Sequence, residues 1–134
     1  MSEIASVVSA WVKAVNSHDA QAIASLYSPH AQLLYAWGEL VDGRDSISRH
    51  FTDFFEAFPN WSKEAYSLIQ GPHDWGAVEW QAQGAFLGRY ENSEPTGRSF
   101  RLRGCGIFHV VNGSIRLHRR YLDRRNWFQQ IGLR

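Results

Sequence analysis

The chain has 134 residues, which is the length of one domain, and its 44% hydrophobic and 20% charged residues exclude disorder and fibrous repeats. The net charge of +1 is uneven: residues 1–97 carry 5 basic and 12 acidic side chains, whereas residues 98–134 carry nine arginines and one acid, Asp123. The lone cysteine, Cys105, cannot form an internal disulfide, and the six histidines lack the spacing of metal ligands. We therefore expect one domain over residues 1–134, with no metal and no cofactor.

The N-terminal sequence lacks a basic patch followed by an apolar run, so it does not resemble a signal peptide. No segment approaches the roughly 18 consecutive apolar residues that a membrane span needs. These two features predict a cytoplasmic protein that does not bind a membrane.

Helical periodicity marks the first part of the chain. Apolar residues at helical spacing predict an amphipathic helix over residues 3–16. Asp19 is the predicted N-cap of a short second helix, which Pro29 ends, and residues 31–37 are a predicted first strand. A third helix, ended by Pro59, is predicted from a stripe of apolar side chains: Ile47, Phe51, Phe54, Phe55 and Phe58.

From Trp61 onward the apolar residues alternate with period two, which is typical of strands. Asn112-Gly113 between two alternating segments predicts a hairpin, and Gly104 and Gly106 within a strand predict strong coiling or a bulge. The predicted strands cover residues 61–70, 75–88, 98–111 and 114–123. Helices followed by an antiparallel sheet indicate the α+β class.

Several short motifs follow one another in a distinctive order. They are Asn16-Ser17-His18-Asp19, Phe58-Pro59-Asn60, Pro95-Thr96-Gly97-Arg98, Asn112-Gly113-Ser114-Ile115, Tyr121-Leu122-Asp123 and Gln129-Gln130-Ile131-Gly132-Leu133. Together they resemble the SnoaL-like polyketide cyclase or ester cyclase branch of the nuclear transport factor 2-like (cystatin-like) superfamily. The resemblance implies a cone-shaped curved sheet wrapped around helices, with a deep apolar pocket. It fixes no reaction, because members include cyclases, isomerases, hydrolases and non-catalytic binders.

Asp123 is the first candidate for a catalytic base. Counting back by twos along the last strand places it on a mostly apolar face with Ile115, Leu117, Arg119 and Tyr121. Apolar surroundings raise the pKa of a carboxyl group, as a base working near neutral pH requires. The resemblance implies an acid/base residue at the same position. The structural alternatives are an ion pair with Arg119 or an N-cap for a terminal helix that starts at Arg124.

His109 and His118 are further catalytic candidates, since either could orient a carbonyl or share a proton with Asp123. His118 has the opposite parity to Asp123, so a regular strand would direct it to the outer face. Compared with the family that it resembles, this sequence departs from the usual site at two positions. Tyr35 holds the place of the steroid-isomerase base, and Ala85 stands where many ester cyclases have a histidine.

Substrate contact is expected from a set of aromatic residues and one arginine, although most such rings are ordinary core. Aromatic walls favour a flat, largely apolar small molecule as substrate. The predicted substrate-binding residues are Tyr35, Trp37, Phe51, Phe55, Trp80, Phe86, Arg119 and Tyr121.

The arginines of the C-terminal third are predicted to lie at an interface or on a solvated face, with an anionic ligand as the alternative. We expect no nucleic-acid binding, because no binding motif accompanies them. A homodimer is expected through the strand face of Glu79, Gln81 and Gln83. The arginines concerned are Arg101, Arg103, Arg116, Arg119, Arg120, Arg124 and Arg125, of which Arg101, Arg103, Arg116 and Arg120 are predicted to point outward.

The leading functional hypothesis is a polyketide cyclase-like enzyme in which Asp123 removes an acidic C–H proton, and His109 or Tyr35 donates to the enolate. The enzyme alternative is an isomerase or hydrolase, which an Arg119–Asp123 pair able to position water would favour. The other alternative is a non-catalytic binding or assembly module. A cavity below about 300 Å³, or one without titratable groups, favours that module.

Overall fold

The computed structural model describes residues 3–133, which form four helices, six strands and one 3-10 turn at Pro72–Asp74. The helices are α1 (Glu3–Asn16), α2 (Ala20–Ser25), α3 (Arg44–Ala57) and α4 (Arg124–Ile131). The strands are β1 (Tyr27–Tyr35), β2 (Leu40–Asp42), β3 (Ser62–Gln70), β4 (Trp75–Ala85), β5 (Ser99–Val111) and β6 (Ser114–Leu122). This is the predicted α+β class.

All six strands form one curved mixed sheet in the order β2-β1-β6-β5-β4-β3. Strands β1 and β6 are parallel, and every other neighbouring pair is antiparallel. Helix α1 packs against β3 and β5, and α3 packs against β1 and β2, so the helices cover one face of the sheet. The hydrophobic core lies between this inner face and the helices.

A β-bulge interrupts the last hairpin. His109 of β5 pairs with Leu117 of β6, whereas the next residue, Val110, pairs with Ile115, so Arg116 is an extra residue in β6. An inserted residue reverses the alternation of side chains beyond it. The bulge therefore changes which residues of β6 face the core.

Most predicted elements are confirmed. Helix α1 spans the predicted residues, and Asp19 caps α2 by accepting a hydrogen bond from the Ala22 backbone N–H. The predicted end of the second helix was wrong, because α2 ends at Ser25 and Pro29 lies within β1. Pro29 is tolerated there because the β1–β6 pairing is irregular between Tyr27 and Gln32, and a residue without an N–H disrupts no regular ladder.

Gly104 and Gly106 do not mark the bulge, which lies in β6 at Arg116, opposite His109 and Val110 of β5. A Cβ at Gly104 would collide with Cζ2 of Trp80, and one at Gly106 would lie 2.9 Å from Nε2 of His118. The two glycines therefore make room for large buried side chains on neighbouring strands. No helix within residues 3–133 is long and apolar enough to cross a membrane.

Candidate active site

Polar side chains accumulate inside the core, between the sheet and the helices. Lys63 of β3, His118 of β6 and Arg120 of β6 are only 4%, 1% and 3% exposed. The hydroxyls of Tyr27 and Tyr35, at the two ends of β1, hydrogen-bond to this group. Such groups are costly to bury and concentrate at functional sites, so this cluster is the candidate site.

Tyr35 and His50 form one hydrogen-bonded pair, called here the cavity pair. Nη1 of Arg120 donates to the Tyr35 hydroxyl at 3.1 Å, and that oxygen lies 2.6 Å from Nε2 of His50. Burial, and then the charge of Arg120, lowers the pKa of His50 to about 4. Burial raises the pKa of Tyr35 above 10, although Arg120 opposes the shift. At neutral pH the phenol is therefore protonated and donates to a neutral imidazole.

Tyr27 and His118 form a second pair, called here the sealed pair. Nε1 of Trp11 donates to the Tyr27 hydroxyl at 3.0 Å, and that oxygen lies 2.8 Å from Nδ1 of His118. The His118 ring stacks on Phe108 at 3.9 Å between centroids. Burial lowers the pKa of His118 well below 6.5, with Arg120 and Lys63 adding to the effect, and burial also raises the pKa of Tyr27. This pair is neutral and enclosed by core side chains.

Aromatic rings surround the side-chain nitrogen of Lys63. Its Nζ has no hydrogen-bond partner and lies 4.0 Å from the ring centroid of Trp80 and 4.5 Å from that of Trp11. Burial, and then Arg120, lowers the pKa of Lys63 well below 10.5. Asn16, the last residue of α1, fixes this strand position by bonding both the backbone N–H and the carbonyl of Lys63.

An interior cavity of about 10 Å³ lies beside the cavity pair. This volume is about that of one water molecule and is below the 300 Å³ that separates the hypotheses, which favours a non-catalytic module. The titratable groups in its wall favour a catalyst. The lining residues are Tyr35, Trp37, Glu39, His50, Phe54, Trp61, Tyr90, Leu102, Arg120, Leu122 and Trp127.

The half-buried side chain of Trp37 lies at the edge of this cavity. Its ring stacks on Tyr35 at 4.7 Å between centroids, and the Arg124 guanidinium lies 4.8 Å from the centroid of the same ring. Its Nε1 donates to Oε1 of Glu39 at 3.2 Å. Trp37 thus separates the cavity pair from an exposed turn.

Sequence comparison identifies the family. The sequence model of the SnoaL-like polyketide cyclases matches residues 5–131, which is nearly the whole chain. The protein belongs to the SnoaL-like polyketide cyclase family. Comparison with curated proteins found no match.

Solved structures of the family and of related folds superpose on this chain. A candidate SnoaL-like polyketide cyclase from Jannaschia sp. CCS1 gives a TM-score of 0.84 at 15% identity, covering 96% of this chain and 91% of that chain. IdmH, a candidate polyketide cyclase from Streptomyces antibioticus, gives 0.79 at 22% identity, covering 97% and 99%. A ketosteroid isomerase-like protein from Catenulispora acidiphila gives 0.80 at 18% identity, covering 96% and 93%. At these identities the likeness establishes the fold.

Asp123 does not face the interior, so the expected orientation of the family's acid/base position was wrong. Its side chain is exposed and accepts a hydrogen bond from the Asn126 backbone N–H at 2.9 Å, as the N-cap of α4. It borders an open groove on the sheet surface instead of the interior cavity. The cap was one of the two structural alternatives, and the other, an ion pair with Arg119, does not form within residues 3–133.

The bulge at Arg116 explains the position of His118, whereas His109 follows the regular alternation of β5. The expectation that His118 points outward was wrong, because the extra residue turns His118 into the core. His109 lies on the outer face, where its ring stacks on Trp75 at 4.2 Å between centroids. Neither histidine lies next to the exposed Asp123 carboxylate.

Two of the eight predicted substrate-binding residues, Tyr35 and Trp37, line the interior cavity. Arg119 and Tyr121 belong to the outer sheet face, because their strand positions alternate with the buried His118 and Arg120. The remaining four are buried core residues outside the cavity wall: Phe51, Phe55, Trp80 and Phe86.

Among the arginines predicted to point outward, Arg101, Arg103 and Arg116 are exposed. Arg120 is the exception, since the bulge places it inside, and the expectation for it was wrong. Its guanidinium carries a positive charge into the core.

Sequence reasoning missed His50 and Lys63, although each carried a signal. His50 stands three residues after Ile47 and four before Phe54, which is the spacing of the buried face of α3. Lys63 alternates with Trp61 and Ala65, so period two places it on the inner face of β3. Within residues 3–133, no group of three or more His, Cys, Asp or Glu side chains converges as a metal site would require.

Proposed function

We propose that the protein is an acid–base catalyst of the cyclase type that acts, without a cofactor, on a small aromatic carbonyl compound bound at the interior cavity. The observation that carries this proposal is the position of the Tyr35 hydroxyl between the Arg120 guanidinium and the neutral His50 imidazole. One phenol is thereby connected to a cation and to a proton acceptor in a water-poor site, which is the composition of an enolisation site.

The proposed reaction begins with an acidic C–H next to a substrate carbonyl. Tyr35 passes its proton to Nε2 of His50 and accepts the proton from carbon, so the net transfer runs from substrate to imidazole. Arg120 stabilises the negative charge on the phenol and on the enolate oxygen. The enolate carbon attacks a second carbonyl of the same molecule, and the proton returns from His50 through Tyr35 to the new alkoxide. Holding the two ends of the substrate together supplies much of the rate.

Substrate entry requires Trp37 to move, because the cavity of about 10 Å³ holds no more than a water molecule. Trp37 stacks on Tyr35 and is half-buried, so a flat aromatic substrate would replace one ring with another. This exchange conserves the stacking contact with Tyr35.

The experiment follows the exchange of the C1 protons of 2-tetralone, a bicyclic aromatic ketone, for deuterium by proton NMR. Wild-type protein is expected to accelerate exchange, and Tyr35→Phe is expected to lose about 100-fold of that acceleration, as removal of a general acid–base group does. Tyr27→Phe is the matched control, because it removes the same hydroxyl from the sealed pair and should retain exchange. Equal rates for wild type and Tyr35→Phe would contradict the proposed mechanism.

A non-catalytic small-molecule-binding module is the second candidate, and the small cavity volume favours it. This function predicts that wild-type protein exchanges 2-tetralone no faster than free imidazole at the same concentration.

We also propose that two copies associate through the outer face of the sheet. Exposed apolar side chains on strands β2, β3 and β6 support this: Leu40, Tyr66, Ile69 and Tyr121 are 48%, 48%, 61% and 42% exposed. Burial of such side chains against a second copy favours association. Sedimentation velocity at about 100 micromolar, a concentration at which weak dimers form, tests this association. A monomer at that concentration would overturn the proposal.

A further inference from the structure

Three buried N–H donors in the wall of the interior cavity have no hydrogen-bond acceptor. They are Nε of Arg120, Nε1 of Trp61 and Nε1 of Trp127. A fourth buried donor without an acceptor, Nζ of Lys63, lies 5.5 Å from the ring centroid of Trp61. Buried donors in native proteins are almost always paired, so unpaired donors concentrated around one cavity require an explanation.

One of these donors, Arg120, also carries a positive charge that no carboxylate neutralises. The ion pair found within residues 3–133 joins Arg89 to Glu94 on the surface, so Arg120 has no acidic partner. Tyr35 cannot serve as the counterion, because burial raises its pKa and keeps it protonated. Glu39 lies at the cavity edge, where its carboxylate is exposed and accepts from Trp37. A guanidinium stays charged in proteins, and a buried charge is normally paired.

We infer that the interior cavity binds an aromatic ligand through a carboxylate group, which accepts from Arg120 and from the Trp61 and Trp127 indoles. A carboxylate suits this wall because it has only acceptors, about four lone-pair sites on two oxygens, and a negative charge. The surrounding rings suit the aromatic part of the ligand. This inference names the substrate class of the proposed catalyst and so depends on that proposal, but its test measures binding and not turnover.

The test compares 2-naphthoate with its uncharged analogue 2-naphthamide by isothermal titration calorimetry at pH 7. Wild-type protein is expected to bind the carboxylate at least about tenfold more tightly than the amide, as expected for a charge-assisted contact. Arg120→Met is expected to lose this preference. Arg119→Met is the matched control, because Arg119 immediately precedes Arg120 in β6 and lies on the outer face, so this variant should retain the preference.

Trp61→Phe and Trp127→Phe keep an aromatic ring and remove only the N–H, so they test the inference even if Arg120→Met does not fold. Each is expected to weaken naphthoate binding several-fold while leaving naphthamide binding unchanged. Equal affinity of wild type for the two compounds, or a preference that survives in Arg120→Met, would overturn the inference. Loss of deuterium exchange in Tyr35→Phe concerns catalysis alone, so failure of one proposal is distinguishable from failure of the other.

Discussion

The sealed pair and the cavity pair have the same components but different surroundings. In each, an N–H donor contacts a tyrosine hydroxyl that donates to a neutral histidine. The donor is the neutral indole of Trp11 in the sealed pair and the charged guanidinium of Arg120 in the cavity pair. The sealed pair satisfies its own hydrogen bonds within the core, whereas the cavity pair adjoins empty space and unpaired donors. A tyrosine–histidine pair alone therefore does not identify an active site, and the adjoining cavity and the charge of Arg120 are what distinguish the cavity pair.

The largest expected difference concerns stability. Tyr27→Phe leaves the Trp11 indole without an acceptor and His118 without a donor, both fully buried, so it should lower the free energy of unfolding by about 3 kcal/mol. Tyr35→Phe should cost only about 1 kcal/mol, because a water molecule in the adjacent cavity can replace the hydroxyl. Urea unfolding monitored by circular dichroism measures both values. Equal losses in the two variants would show that the cavity pair is as enclosed as the sealed pair.

A second difference concerns pH. The pKa of His50 is about 4 in the folded protein and 6.5 ordinarily, so the unfolded chain takes up the proton first as the pH falls. The stability that the neutral imidazole supports is therefore lost between pH 6.5 and pH 4, with about 2 kcal/mol gone between pH 7 and pH 5. His118, whose pKa is also lowered, adds a loss of the same sign.

His50→Gln should remove about 2 kcal/mol of this pH dependence, measured as the change in unfolding free energy between pH 7 and pH 5. The matched control is His73→Gln, because His73 is exposed on the 3-10 turn. If wild type and His50→Gln lose the same stability on acidification, His50 is not a buried neutral histidine and cannot accept the Tyr35 proton as proposed.

Much of the fold was predictable from local signals. Helical spacing located α1 and α3, Asn112-Gly113 located the last hairpin, and period two identified the inner face of β4. These signals depend on residues close together in the chain. The start of β1 was missed because Tyr27 pairs with Ile115, far away in the sequence, and this pairing outweighs the local helical pattern.

The site was less predictable, because one inserted residue determines it. Counting by twos back from Asp123 assumes a regular strand, and the extra residue Arg116 breaks that regularity. His118 and Arg120 therefore lie on the inner face, in place of Arg119 and Tyr121. The position of a bulge depends on the partner strand and leaves little trace in composition. Tyr35 and Trp37, both predicted to contact substrate, do line the cavity, and Tyr35 lies where the pairing of β1 is regular.

The smallest expected effect concerns Asp123, which belongs to neither pair. As the N-cap of α4 it accepts from the Asn126 backbone N–H, so Asp123→Ala should lower the free energy of unfolding by about 1 kcal/mol. Asp123→Asn should be nearly neutral, because asparagine caps helices as well as aspartate does. Neither variant should change 2-tetralone exchange, since the carboxylate lies outside the cavity wall. Exchange that disappears in Asp123→Asn while stability is retained would return the catalytic role to Asp123 and take it from the cavity pair.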